Sequence, residues 1–204
     1  MTTECSEISF DFQPLGSRRV ASQFDGGIIA SDGGGVLLRE IEQRTGIIRR
    51  FAACFRDHRD PELIEFSAEE LLAQRIYGLC LGHEDVNDHD ELRRDPLLAV
   101  LVGRRDPTGQ DRENPRDRGK PLAGKSTLNR LELTPPGARP ESRYKKIAAN
   151  HREIDSFFVE TFLELHPRPP EEIVIDVDAT ASPPADSRTS RIGRAQVGAA
   201  SVAW

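Results

Sequence analysis

Between Val36 and Leu165 the apolar residues recur mostly at three- and four-residue intervals, in short blocks cut by glycine or proline, which predicts a run of short amphipathic helices. Ser31 and Asp32 stand ready to cap the first. Gly33 to Gly35 allow a sharp entry, Val36, Leu37, Leu38 and Ile41 supply the stripe, and Thr45-Gly46 ends it. Ile47 to Phe55 reads as a second short helix. Ser67-Ala68-Glu69-Glu70 is a capping box opening a helix through Leu71, Leu72, Ile76, Tyr77, Leu79 and Cys80, stopped by Gly82. Pro96 to Val102 is a compact apolar helix closed at Gly103. Ser126 or Thr127 caps a short helix through Leu128, Leu131 and Glu132, and Pro135-Pro136-Gly137 breaks it. The longest helix is expected from Glu141 to Leu165, ended by His166-Pro167.

Strand signals are fewer. Val20 to Phe24 and Ile28 to Ala30 flank Asp25-Gly26-Gly27, the pattern of a hairpin. Ile173 to Asp178, after Pro169-Pro170, is the most strand-like run in the chain. The order is therefore helical first and strand last. A lone strand cannot be a domain, so this one reads as the first strand of an α/β domain. The expected organisation is a flexible N-terminus over 1–19, a helical region with a short hairpin over 20–103, and a disordered loop over 104–121. A second helical region over 122–168, a strand segment over 169–180 and a disordered tail over 181–204 complete it.

The composition changes this picture little. With 204 residues, 37% hydrophobic and 30% charged, the chain has material for one ordinary core. It contains neither an 18-residue apolar run nor a secretory leader, so a cytoplasmic location is expected. Cys5, Cys54 and Cys80 lack C-x-x-C spacing, which argues against a disulfide framework and a structural zinc. A net charge of −6 disfavours nucleic-acid binding by the chain as a whole but leaves room for local cation clusters. Arg139, Arg143, Lys145, Lys146 and Arg152 form one such cluster; Arg188, Arg191 and Arg194 form another. Either is a phosphate-binding surface or simply a wet face.

Three stretches invite a chemical reading. Gly119 to Ser126 satisfies the G-x-x-x-x-G-K-[ST] phosphate-loop pattern, but a phosphate loop follows a buried strand, and Gln110 to Arg118 is charged and strandless. His83 to Asp90 packs two histidines and four acids into eight residues. An EF-hand would want other residues where His89 and Asp90 stand, so a turn with Asn87-Asp88 capping a helix is the better reading. Asp176 and Asp178 lie two apart on one strand and therefore share a face. There they either hold a divalent cation or face solvent on an edge.

In order along the chain, Phe24-Asp25-Gly26-Gly27, Ser31-Asp32-Gly33-Gly34, Arg75-Ile76-Tyr77-Gly78, Glu84 to Asp90 with Leu92 and Asp95-Pro96, Ser126 to Glu132, and Ile175 to Thr180 resemble the transposases of DDE domain group 1, from bacterial insertion sequences. The resemblance implies a mostly α N-terminal region leading into the first strand of a ribonuclease-H-like α/β domain, here incomplete. It implies catalysis by an Asp, an Asp and a Glu holding two divalent ions, Mg2+ or Mn2+, for DNA strand cleavage and transfer. Asp178 matches the first of these catalytic, metal-binding acids, with Asp176 as a supporting ligand. The helical region would grip DNA, the terminal inverted repeats of the element, through Lys145, Lys146 and Arg152 on phosphates. A homo-oligomer, or pairing with an intact transposase, is also implied.

After Thr180 the resemblance stops. Ala181 to Trp204 is small, basic and without alternation, as out-of-frame translation would read. The second Asp and the Glu have no counterpart here, so the expectation is a truncated transposase that binds metal poorly and is inactive. A non-enzymatic DNA-binding regulator is the alternative.

Overall fold

The computed structural model describes residues 9–23, 32–166, 168, 170, 172 and 173. The chain divides into units 1–167 and 168–204; the architecture below is that of the first.

Ser9–Leu15 (β1) and Arg18–Gln23 (β2) form an antiparallel hairpin with Phe12 opposite Val20. Residues 9–19, expected to be flexible, are thus corrected to strand. Phe10 and Phe12 alternate with polar neighbours, and Gly16 takes the left-handed conformation (φ 59°) that turns the chain. The hairpin expected around Asp25-Gly26-Gly27 falls partly on residues 24–31, outside the described residues; within them, the partner of Val20 to Gln23 lies upstream.

Helices α1 (Gly35–Thr45) and α2 (Ile47–Ala52) follow, separated by Gly46 in the left-handed region. Asp32 does not cap α1 with its side chain; its carbonyl accepts from Gly35 N–H at 2.8 Å instead. A Cβ on Gly35 would lie 2.6 Å from Leu101 Cδ1, so the glycine also permits close helix packing. Arg39, buried in α1, donates to the Gln13 and Pro14 carbonyls at 2.5 and 3.1 Å and fastens the hairpin. The second helix stops at Ala52, short of the expected Phe55, because Phe55–Asp57 (β3) pairs with Ile147–Ala149 (β4).

Helix α3 (Ala68–Cys80) starts at the expected capping box: Ser67 Oγ accepts from Glu70 N–H and Glu70 accepts from Ser67 N–H. It stands between two apolar clusters. Ala73 and Tyr77 face Val36, Ile48, Leu98, Leu101 and Leu122, while Leu71 and Leu72 face Phe66, Leu128, Leu131 and Ile147. Short α4 (His89–Leu92) leads to α5 (Pro96–Val102), where Asp95 caps Leu97 N–H and Gly103 ends the helix as expected. Residues 104–121, expected to be disordered, take a defined course. Asp106 accepts from the N–H groups of Thr108, Gln110 and Asp111, and Arg112 is only 7% exposed. Arg112 pairs with Glu65, donates to the Lys120 and Leu122 carbonyls and lies 4.6 Å from the Phe66 ring centroid. Asp106 and Arg112 thus anchor the loop through internal bonds, while Arg105, Asp111, Glu113, Arg116 and Arg118 remain exposed.

Helix α6 (Lys125–Glu132) starts at Gly124 without a side-chain cap. The long helix expected from Glu141 is shortened to α7 (His151–Leu165), capped by Asn150. Ile147 and Ala148 fit a helical period, but their backbone groups are used by β3, and His58 N–H extends the ribbon to the Lys146 carbonyl at 2.8 Å. Helix α7 rests on α2 through Phe157 against Phe51 and a two-bond Arg50–Glu164 pair; that pair raises the Arg50 pKa. The expected strand from Ile173 to Asp178 lies outside the described residues beyond Ile173. No helix among the described residues is long and apolar enough to cross a membrane.

Candidate nucleic-acid interface

The stretches that first suggested chemistry are structural. His89 is fully buried, with its Nδ1 3.1 Å from Gln74 Nε2, while Gln74 also bonds both backbone groups of Ala123. These bonds tie α3 and α4 to the turn before α6. Burial first, then the positive charges of Arg75 and His83, push the His89 pKa down to about 4, so the ring is neutral at pH 7. Asp85, rather than Asn87 or Asp88, is the local cap: its carboxylate accepts from Asn87 N–H and is held below the usual carboxylate range by that bond. Gly78 leaves room for His89, whose Cε1 would lie 3.0 Å from an added Cβ. Arg75 bonds Glu132 and the His83 and Glu84 carbonyls.

The phosphate-loop look-alike is also committed elsewhere. Lys125 N–H and Nζ both meet Asp90, each at 3.2 Å, and Ala123 N–H donates to Gln74. A nucleotide phosphate would have to displace these side chains. The required preceding strand is also missing among the described residues, where Pro115–Asp117 is a 3-10 turn.

A different surface is chemically free. From Ala138 to Arg152 the sequence holds six basic residues, Arg139, Arg143, Lys145, Lys146, His151 and Arg152, against the single acid Glu141. Lys145 is exposed, Lys146 half-buried at the entry to β4, and Arg152 exposed in the first turn of α7. No carboxylate pairs with any of the three among the described residues. Tyr144, 56% exposed, adds an aromatic group. The Arg130 guanidinium carbon lies 5.3 Å and that of Arg143 4.9 Å from its ring centroid, so the ring holds two cations at the surface. Sequence reasoning passed over Arg130 and Tyr144; the signal available was an aromatic residue set among cations.

Asp176 and Asp178 lie outside the described residues. Among the described residues no three His, Cys, Asp or Glu side chains are grouped to hold a metal ion.

The sequence itself carries a recognisable family pattern, and the chain belongs to a family of transposases. The model that matches is that of transposase DDE domain group 1, over residues 12–185. DNA is the partner of such proteins, and divalent metal ions generally serve their chemistry. No curated protein and no solved structure matches the chain. The ribonuclease-H-like sheet that a DDE domain implies is not among the elements described here.

Proposed function

We propose that the chain is the DNA-engaging part of a bacterial insertion-sequence transposase, and that the surface from Arg130 to Arg152 contacts the element's terminal repeats. The carrying observation is that Lys145, Lys146 and Arg152 stand without carboxylate partners in the described structure, next in sequence to the Arg143–Tyr144 pair. Free cations release counterions from a phosphate backbone, whereas cations already paired in the scaffold gain little from it. The overall charge of −6 does not oppose this, because exposed charges beyond about 10 Å are screened at 0.1 M salt.

Asp178, supported by Asp176, is proposed as the first carboxylate of the metal-dependent site. Two acids spaced two apart, as an extended segment would set them on one face, suit a hard divalent cation. In the family's chemistry the ions activate the attacking oxygen and stabilise the leaving one at a phosphodiester. Since the resemblance places only one of the three triad acids within these 204 residues, this polypeptide by itself is expected to bind DNA without cleaving it. A second reading is a non-enzymatic regulator that occupies the element's ends, a role that needs the basic surface but not the acids.

A titration of the purified chain tests this, using labelled duplex carrying the terminal repeats or a scrambled sequence, at two salt concentrations with magnesium. Preferential, salt-steep binding without cleavage is expected. A folded chain that binds neither duplex sinks the DNA-engaging reading, and metal-dependent cleavage removes the claim of inactivity.

A further inference from the structure

The β3–β4 ribbon builds a second basic feature that the linear sequence does not display. Strand alternation places Arg56 and His58 on one face, and the pairing of Arg56 with Ala148 puts Ala148 and Lys146 on that same face across the ribbon. The opposite face carries Phe55 and Ile147 into the apolar cluster around Leu128. On this face Arg56 is exposed and His58 half-buried, while Ala148 is buried. With Pro136, Ala138, Asn150, His151 and Arg152 they line a groove of about 390 Å³. Four of its lining residues, Arg56, His58, His151 and Arg152, are basic, and among the described residues none has a carboxylate partner on its side chain within hydrogen-bonding reach. The acid nearest in the ribbon, Asp57, alternates to the other face, and its carboxylate is taken by Arg59 at 2.6 Å. Burial alone would raise the Asp57 pKa, but hydrogen bonds from the Arg59 side chain and N–H bring it below the usual range, so it stays a partner for Arg59.

We infer that this groove seats a backbone phosphate of nucleic acid. Pro136, Ala138, Ala148 and Ala149 supply its small apolar lining, and its polar side chains are two guanidiniums, two imidazoles and the Asn150 amide. Two guanidiniums with no carboxylate in the lining suit a phosphodiester anion. The groove would fix the register of the strand while the surface from Arg130 to Lys146 supplies further phosphate contacts. This assignment rests on the DNA-engaging reading above and adds Arg56, His58 and His151 to it.

The test is fluorescence anisotropy of the full 204-residue chain on a labelled mixed-sequence duplex across a salt series. The wild type is compared with the double variant Arg56→Gln/Arg152→Gln and with Arg118→Gln, an exposed cation on the loop before α6. The double variant is expected to reduce the magnitude of the slope of log K against log salt by about 1, for the one phosphate seated, and Arg118→Gln to leave it within about half a unit. An unchanged slope in a folded double variant, or an equal loss in Arg118→Gln, overturns the groove and removes Arg152 from the DNA-engaging surface, while leaving Lys145 and Lys146 to carry that reading. Absence of binding by the wild type overturns both. If the double variant fails to fold by circular dichroism, backbone amide shifts in the wild type decide. Shifts at Ala148, Ala149 and Asn150 on adding duplex support the groove, and their absence overturns it.

Discussion

Arg39, Arg59, Arg75, Arg104 and Arg112 on one side, and Arg130, Arg143 and Arg152 on the other, show two uses of one side chain within a single unit. In the first group each guanidinium is taken up internally. Arg39 holds carbonyls of the hairpin, Arg59 holds Asp57 and the Phe66 carbonyl, and Arg75 holds Glu132. Arg104 and Arg112 pair with Glu70 and Glu65 while both lie over the Phe66 ring, at 4.9 and 4.6 Å from its centroid. In the second group no carboxylate among the described residues is within reach, and Arg130 and Arg143 rest on the exposed Tyr144 ring. The difference teaches that charge density along the chain is a poor guide to a binding surface. What matters is whether each cation already has a fixed partner, because only an unspent cation can exchange counterions for phosphates.

The strongest way to break this comparison is Arg112→Ala. Arg112 is buried, and truncating it leaves Glu65 and two carbonyls without their donor. A loss of about 3 kcal/mol of stability is expected, the scale for breaking a buried pair. Urea denaturation measures it. A loss below about 1 kcal/mol would mean that the loop arginines are as expendable as surface ones.

His89 provides a second test of the scaffold side, through pH. Its folded pKa of about 4 lies below the ordinary value of 6.5, so the unfolded chain binds the proton more readily. Stability from the neutral ring is therefore complete above pH 6.5 and declines as pH falls toward 4. The total is on the order of 3 kcal/mol. Comparing wild type with His89→Gln in urea melts between pH 7 and pH 4.5 isolates this contribution from the carboxylates. Equal slopes in the two proteins would show that the buried ring is not the responsible group.

How much of this was legible in the sequence depends on the range of the interactions. The capping box at Ser67 and the Asp95-Pro96 start with its Gly103 stop are local signals, and α3 and α5 follow them closely. The three-residue strands β3 and β4 have no such signal. Ile147 and Ala148 fit the helical period of α7, and only pairing with a distant segment makes them strand. For the same reason Lys145, Lys146 and Arg152 stood out as a run, whereas Arg56 and His58 join the basic face only through that pairing. The loop holding Arg112 was misread because its partner Glu65 lies far upstream. In the sequence His83 to Asp90 reads as a capping turn, but the packing role of Arg75, Gly78 and His89 around α3 depends on contacts that the sequence does not display.

On the free-cation side, Lys145→Gln/Lys146→Gln is expected to leave the denaturation midpoint within experimental scatter, since neither side chain has a fixed partner among the described residues. The slope of log K against log salt for DNA should fall in magnitude by about 2. A large change in stability with unaltered binding would place these lysines with the scaffold arginines and erase the contrast.

The smallest effect sharpens the comparison most. Tyr144→Leu removes no charge, yet it withdraws the ring that positions Arg130 and Arg143. Exposed cation–π contacts are worth about 0.5–1 kcal/mol each, so loss of the two should change stability by no more than about 2 kcal/mol. The salt slope should stay as it is, because the number of cations is unchanged. DNA affinity should nonetheless fall several-fold at every salt concentration, since two freed guanidiniums must be ordered again on binding, at about 0.5–1.5 kcal/mol per side chain. Anisotropy titrations at three salt concentrations separate these outcomes. Parallel, displaced lines would show that the ring preorganises its arginines for the phosphate backbone. A changed slope would show that Tyr144 decides whether they touch it, and coincident lines would remove the ring from the interface.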